Sequence, residues 1–285
     1  MACIGGCVRC RQGAGVSEKK TVLVTGASSG FGKACAELLQ EKGYDVYGTS
    51  RHGATAPIPF QMLQMDVDDD ASVRQGIDAI LRKAGRLDAV VNNAGIGFAG
   101  AVEDTTIEEA KAQFETNFFG VLRVCRAVLP IMRAQRSGMI INVSSLGGIV
   151  GIPFQALYSA SKFALEGLSE ALRMEVRPWG IHVVLVEPGD ARTGFTANRR
   201  RTAASAENPA YRERLEKCLA VMETDESNGF PPEKVARQVE RILRSHAPRL
   251  RYVVAPLSQS VPAGLKKYVP WPLFEWGFMK VYHLR

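Results

Sequence analysis

The 285-residue chain has no run of about eighteen uninterrupted apolar residues, the length that a bilayer-spanning helix needs. Its first residues also lack the apolar stretch of a secretory signal, so the default address is cytoplasmic. Repeats, low-complexity tracts and linkers are missing between residues 21 and 256, which leaves one domain of a size that α/β folds often reach undivided. The net charge is +7, yet basic residues are scattered apart from Arg199-Arg200-Arg201, and no DNA- or RNA-binding pattern goes with them. Nucleic acid is therefore set aside. The charge reads as solvation, with some preference for anionic ligands.

Cysteine is also scarce. Of six, Cys35, Cys125 and Cys218 fall singly in helix-like segments and read as small core residues of a reducing compartment. Cys3, Cys7 and Cys10 form C-x-x-x-C-x-x-C, a spacing that resembles the iron–sulfur run of radical-SAM enzymes. That run would follow a strand, whereas this one precedes the first. Residues 1–19 are accordingly expected to be a disordered, oxidation-prone tail, and no metal site is expected.

From Thr21 onward, short Val/Ile/Leu-rich runs alternate with helical patterns. "TVLVTG" (21–26), "YDVYGTS" (44–50), "FQMLQMD" (60–66), "LDAVVNNA" (87–94), "GMIINVSS" (138–145) and "IHVVLVEPG" (181–189) read as strands, and "RYVVAP" (251–256) supplies a seventh. Nearly continuous apolar strands are those covered on both faces. Thr106 with Glu109 makes a capping box, Gly43 ends the first helix, and Pro178 closes the helix after "NVSS". The expected fold is a single-domain α/β Rossmann-type doubly wound parallel sheet of about seven strands. Ligands bind such sheets beyond the carboxyl ends of the strands.

The distinctive residues gather at those ends. "TGASSGFG" joins the first strand to the first helix, with Gly26, Gly30 and Gly32 spaced G-x-x-x-G-x-G. Glycines allow a tight turn and a close approach of backbone to a pyrophosphate lying at the helix N-terminus, so Ser28, Ser29 and Phe31 join the candidate nucleotide site. The acid that ends strand two in NAD-binding chains is absent. Ser50 stands in its place and Arg51 follows, a pair suited to a 2′-phosphate and hence to NADP(H) in preference to NADH. Asp66 and Val67 end strand three, where the carboxylate could bond an adenine; Asn93, Ala94 and Gly95 end strand four and leave room for a flat cofactor.

The ordered set "TGASSGFG", "NNAG", "TNFFG", "NVSS", "YSASK" and "EPGDART" resembles the short-chain dehydrogenase/reductase superfamily, in its compact branch, over about residues 20–256. "YSASKFALEGLSEAL" and "VEPGDARTGF" are similar to 17β-hydroxysteroid and retinol dehydrogenase members. The resemblance implies a catalytic tetrad of Asn117, Ser145, Tyr158 and Lys162. The family's serine lies thirteen positions before its tyrosine, which selects Ser145 over Ser144. It further implies that Pro188, Gly189 and Thr193 flank the nicotinamide, and that Tyr158 and Lys162 also touch the cofactor.

Tyr158 and Lys162 are four apart and share a helix face. A free phenol, with a pKa near ~10, is a poor acid or base at neutral pH, and a neighbouring ammonium or an oxidised nicotinamide favours the phenolate. The implied reaction passes hydride to a carbonyl while Tyr158 supplies the proton, Ser145 orients the oxygen and Asn117 holds a relay water. The expected substrate is a small hydrophobic ketone, aldehyde or alcohol: steroid-, retinoid- or lipid-like. A catalytically silent NADP(H)-binding regulator on the same fold is the alternative.

Residues 190–230 read as a substrate-loop insertion, and 257–285 as an aromatic-rich extension in which Pro272 opens a helix that brings Trp271, Phe274, Phe278 and Val281 to one face. That extension covers its own domain, a lipophilic substrate or a subunit contact, or touches a membrane surface. A homodimer or homotetramer is expected.

Overall fold

The computed structural model describes residues 19–54 and 57–285. The Cys3/Cys7/Cys10 run lies outside the described residues.

All seven expected strands are present: β1 (Thr21–Thr25), β2 (Asp45–Ser50), β3 (Gln61–Gln64), β4 (Ala89–Asn92), β5 (Gly138–Val143), β6 (Ile181–Pro188) and β7 (Arg251–Val254). They form one parallel sheet in the order 3-2-1-4-5-6-7, so the order reverses between β1 and β4. Alternation along each strand sends side chains to two layers. Val22 and Val24 of β1 face one apolar cluster, in which Leu39 of α1 (Gly30–Glu41) meets Val235 and Val239 of α7 (Glu233–Arg244). Leu23, between them, faces a second cluster with Ile77 of α2 (Asp70–Ala84), Val124 of α4 (Gly120–Gln135) and Leu165 of α5 (Ala156–Val176). Burial on both faces is why these strands carry almost no polar alternation.

The expected punctuation is borne out. Gly43 has φ 87° after α1, the Thr106–Glu109 capping box opens α3 (Ile107–Phe114), and Pro178 lies just past α5. Cys35, Cys125 and Cys218 are free and buried, and burial pushes each thiol up to about 12.

Between α3 and α4 the chain loosens into a π-helical turn, Glu115–Phe119, with Asn117 at its centre. Such turns are rare and favour functional positions. A buried polar chain fixes the rotation of α5 against the sheet: Asn92 Nδ2 donates to Asn142 Oδ1 at 2.8 Å, and Asn142 Nδ2 to Ser169 Oγ at 2.8 Å. That clamp sets which face of α5 looks over the end of β5.

The 190–230 segment is more regular than a loop insertion. Arg200–Arg201 pairs with Phe98–Ala99, and Arg212–Ser227 forms α6, whose Leu215, Cys218, Leu219 and Met222 make an apolar stripe at helical spacing. Beyond β7 come α8 (Leu257–Leu265) and α9 (Trp271–Val281), the latter opened by Pro272 as expected. Trp271, Phe274 and Phe278 stack in sequence along α9, while the final ring contact is made by Tyr282 and Val281 is exposed.

Candidate active site

The loop between β1 and α1 requires its glycines. Gly26 and Gly30 have φ of 65° and 55°, a left-handed conformation that side chains disfavour. A Cβ on Gly32 would lie 2.3 Å from the Gly26 carbonyl oxygen. Asn93 Nδ2 donates to the carbonyls of Thr25 and Gly26 at 3.0 and 3.1 Å, and the Asn93 and Ala94 amides donate to Thr25 Oγ1. The ends of β1 and β4 are thus one hydrogen-bonded unit, and the Asn93 side chain shapes the loop. Thr25 is part of that unit and was not singled out from the sequence, although it opens the quoted motif.

The start of α1 carries no side-chain cap and no acidic residue in its first turn. Its first N–H groups and the positive end of the helix dipole are left for an anion. Ser28 and Ser29 are exposed beside them. The Phe31 ring stacks on Phe230, with centroids 6.4 Å apart, so only the Phe31 backbone faces the loop. Thr193 lies across from Gly30, where an added Cβ would stand 3.5 Å from the threonine Cβ.

At the end of β2, the Ser50 hydroxyl donates to the Gly53 carbonyl at 2.8 Å, which turns the chain and leaves Arg51 exposed. Asp66 Oδ1 accepts from the Asp68 amide at 3.1 Å, while Val67 is buried against Gly120. The glycine cradle and the uncapped helix start fit the pyrophosphate of a nicotinamide dinucleotide.

Asn117 is fully buried. Its Oδ1 accepts from the Ile96 amide at 2.9 Å, and its Nδ2 donates to the Ile96 carbonyl at 3.0 Å and to Ser161 Oγ at 3.2 Å. Both amide hydrogens are committed to backbone beyond β4 and to α5, leaving one Oδ1 lone pair for a water. Gln113, which the sequence reading missed, reinforces this corner through the Ile96 carbonyl and the Phe98 amide.

Ser145 and Tyr158 meet over the end of β5. Ser145 Oγ accepts from the Gly147 amide at 2.9 Å, and a Cβ on Gly147 would lie 3.1 Å from Tyr158 Cε1 and 3.3 Å from Ser145 Oγ. Burial pushes the Tyr158 phenol above its ordinary value; a hydrogen bond with Ser145 pulls it down, Glu226 and Asp190 push it up, and Arg199 pulls it down. Lys162 is buried, donates from Nζ to the Val143 carbonyl at 2.9 Å, and has Nζ 5.9 Å from the Tyr158 ring centroid. Burial lowers its pKa to about 8, against the pull of Glu166. Lys162 is thus turned onto the backbone of β5 with its ammonium near the Tyr158 ring, and Arg199 is a further positive charge that favours the phenolate.

Pro188, the last residue of β6, is buried, and Gly189 packs where a Cβ would fall 2.2 Å from Gln259 Oε1. Phe195 lies 5.6 Å from the Tyr158 ring, and Arg199, its side chain almost wholly buried, lies 5.8 Å from the Phe195 ring centroid while pairing with Glu226. The tetrad residues and the loop after β6 thus enclose one corner. A cavity of about 850 Å³ beside Gly30 and Thr193 is lined by Lys33 and Arg192 as well as Glu37, Glu223, Glu226 and Glu233, and does not reach Tyr158. The candidate site is therefore defined by the strand ends, where the tetrad residues lie.

Residues 20–204 match the family described as short chain dehydrogenase. The chain belongs to the short-chain dehydrogenases. It is an oxidoreductase of that family. This short-chain dehydrogenase is 45% identical over 268 residues to a 3-ketodihydrosphingosine reductase of Bacteroides thetaiotaomicron, covering 94% of this chain and 100% of the relative. It is 34% identical to retinol dehydrogenase 8 of Bos taurus, over 81% of this chain and 80% of that one. A solved short-chain dehydrogenase from Streptomyces avermitilis matches with a TM-score of 0.77 and 36% identity, covering 92% of this chain and 98% of that one.

Proposed function

We propose that this short-chain dehydrogenase is an NADP(H)-dependent reductase of a lipophilic, long-chain ketone. The observation that carries the reading is the meeting of Ser145 and Tyr158 over the end of β5, with Lys162 buried one helical turn below and the glycine cradle at the neighbouring strand end. The relative's name, 3-ketodihydrosphingosine reductase, favours a lipid ketone over the steroid and retinoid choices.

Bound NADPH supplies the hydride. Gly26, Gly30 and Gly32 with the start of α1 would hold the pyrophosphate, Ser50 and Arg51 the 2′-phosphate, Asp66 and Val67 the adenine side, and Ala94, Gly95, Pro188, Gly189 and Thr193 the nicotinamide half. Ser145 donates to the substrate oxygen, which polarises the carbonyl and fixes its distance from Tyr158. Tyr158 gives its phenolic proton to the oxygen as negative charge develops there. A phenol held neutral by burial suits this direction, because a reductive turnover begins with the proton on the tyrosine. Lys162 anchors α5 and keeps its ammonium on the helix face that carries the phenol. Asn117 holds the corner through which water refills that proton.

Phe119, Phe163 and Met174 are exposed on the outer faces of the π turn and α5, and support a homo-oligomer joined through that side. Light scattering reads its size. The functional test is an NADPH and NADH oxidation screen against 3-ketodihydrosphingosine, 3-oxoacyl thioesters, retinals, steroids and simple ketones. NADPH-dependent turnover greatest on the long-chain ketone supports the reading. Tight NADPH binding with no oxidation across the panel would replace it with a silent nucleotide-binding role.

A further inference from the structure

Residues 257–285 touch the domain at a few points and leave many of their apolar side chains exposed. Among the described residues fourteen large hydrophobics are exposed, and eight of them fall between Leu257 and Val281. Leu257, Tyr268, Trp271, Leu273 and Trp276 are 78%, 82%, 57%, 59% and 45% exposed. None of the eleven residues of α9 is buried. Scattered surface leucines need no explanation, but this concentration exceeds what a free monomer surface carries.

Charge identifies what would cover it. Residues 257–285 hold Lys266, Lys267, Lys280 and Arg285 against the single carboxylate of Glu275. Lys280 Nζ lies 5.6 Å from the Trp276 ring centroid, while Lys266 Nζ, 5.1 Å from Phe163 of α5 and 6.0 Å from Trp271, joins the segment to the domain. A two-fold contact through this face would bring both copies' cations together, which disfavours a second copy as its cover. Tryptophan and tyrosine rings bearing lysine heads are suited to the headgroup level of a bilayer, where the ring enters the acyl boundary and the ammonium stays with phosphate. No helix among the described residues is long and apolar enough to cross a membrane, so the contact is peripheral.

The same segment is bonded to both walls of the candidate site. Gln259 accepts from the Asp190 amide at 3.0 Å and donates to Asp190 Oδ2 at 2.7 Å, and Lys266 Nζ donates to the Ile149 carbonyl at 2.7 Å. Tyr282 and Leu284 pack on the same apolar cluster around α6 as Ile152 and Phe154, which lie just before Tyr158. We infer that residues 257–285 form a peripheral docking surface for an anionic lipid bilayer and place the entrance of the site against it. This stands on exposure and charge and does not depend on the catalytic reading.

The test is sedimentation of the full chain with phosphatidylcholine vesicles, with and without phosphatidylglycerol. The expected result is strong binding to the anionic vesicles that weakens with salt. Lys267→Glu with Lys280→Glu should reduce it, by roughly fivefold or more for each cation removed. Trp271→Ala with Trp276→Ala should reduce it at least about tenfold, with the thermal melt and turnover of a water-soluble ketone retained. Failure of the wild-type chain to bind anionic vesicles overturns the inference. So does equal binding by the tryptophan variant, or a dimer that this variant dissolves. Loss of ketone turnover in every sample, with vesicle binding intact, would count against the proposed activity alone.

Discussion

Lys162 Nζ donates to the carbonyl of Val143 at 2.9 Å and so ties α5 to the last residue of β5. The lysine thereby fixes how far Tyr158, one turn earlier, stands from the strand end that carries Ser145. Its low pKa, about 8, follows from burial, so the charged form costs stability where it helps chemistry. Lys162→Met removes a buried cation and its bond together. The expected outcome is a fall in turnover of about 10²-fold or more, with a melting temperature near that of the wild type, read by NADPH oxidation and calorimetry.

Tyr158→Phe separates chemistry from packing. The phenyl ring keeps its contact with Phe195, whose ring lies 5.6 Å away, and only the hydroxyl is lost. Turnover should drop by about 10²–10⁴-fold while NADPH affinity, followed by fluorescence titration, stays within a small factor. Unchanged turnover would remove Tyr158 from the mechanism.

Arg51 is exposed at the end of β2, next to a serine that turns the chain and leaves the guanidinium free to meet a ligand. Charge-assisted hydrogen bonds to a 2′-phosphate contribute about 1.5–3 kcal/mol, or roughly 10–100-fold. Arg51→Ala should therefore raise the KM for NADPH by that factor and leave the KM for NADH nearly unchanged. A wild-type preference for NADH would overturn the assignment.

What could be read from the sequence follows the reach of local chemistry. Strands buried on both faces announce themselves as apolar runs, and Gly26, Gly30 and Gly32 are fixed by backbone demands that their neighbours in sequence reveal. The capping box and Pro178 likewise act within a few residues. The long-range contacts were silent. Nothing near Arg199 in sequence says that its guanidinium lies over Phe195, or that it pairs with Glu226 across 27 positions. The turn of Lys162 onto Val143 and the bonds of Asn117 to Ile96 depend on how α5 and the π turn dock, which no spacing rule encodes. Helix α6 was missed because its apolar stripe lies within a charged segment whose overall composition reads as a loop.

Behind Lys162 a second buried pair sets the response of stability to pH. Glu187, on β6, is buried, and burial raises its pKa to about 7, with Glu166 pushing the same way and Arg251 opposing. Arg251 reaches Glu187 Oε1 at 3.2 Å and Glu166 Oε2 at 3.0 Å, and it also pairs with Glu170, so one guanidinium serves three carboxylates. Lys162 is the other cation acting on Glu166. The unfolded chain releases the Glu187 proton near its ordinary 4.5, whereas the folded chain keeps it to about 7. Between those values the native state holds more protons on Glu187, so this group's contribution to stability falls as pH rises, fully present below the lower value and lost by the upper. Asp190, raised by burial to about 6, adds to the same trend at its lower end. Glu187→Gln supplies a permanently neutral group of the same size. Unfolding free energies from urea titrations between about pH 5 and about pH 8 should fall in the wild type by on the order of 1–3 kcal/mol and fall clearly less in the variant. Parallel curves would show that the pair is already ionised and held by Arg251 throughout.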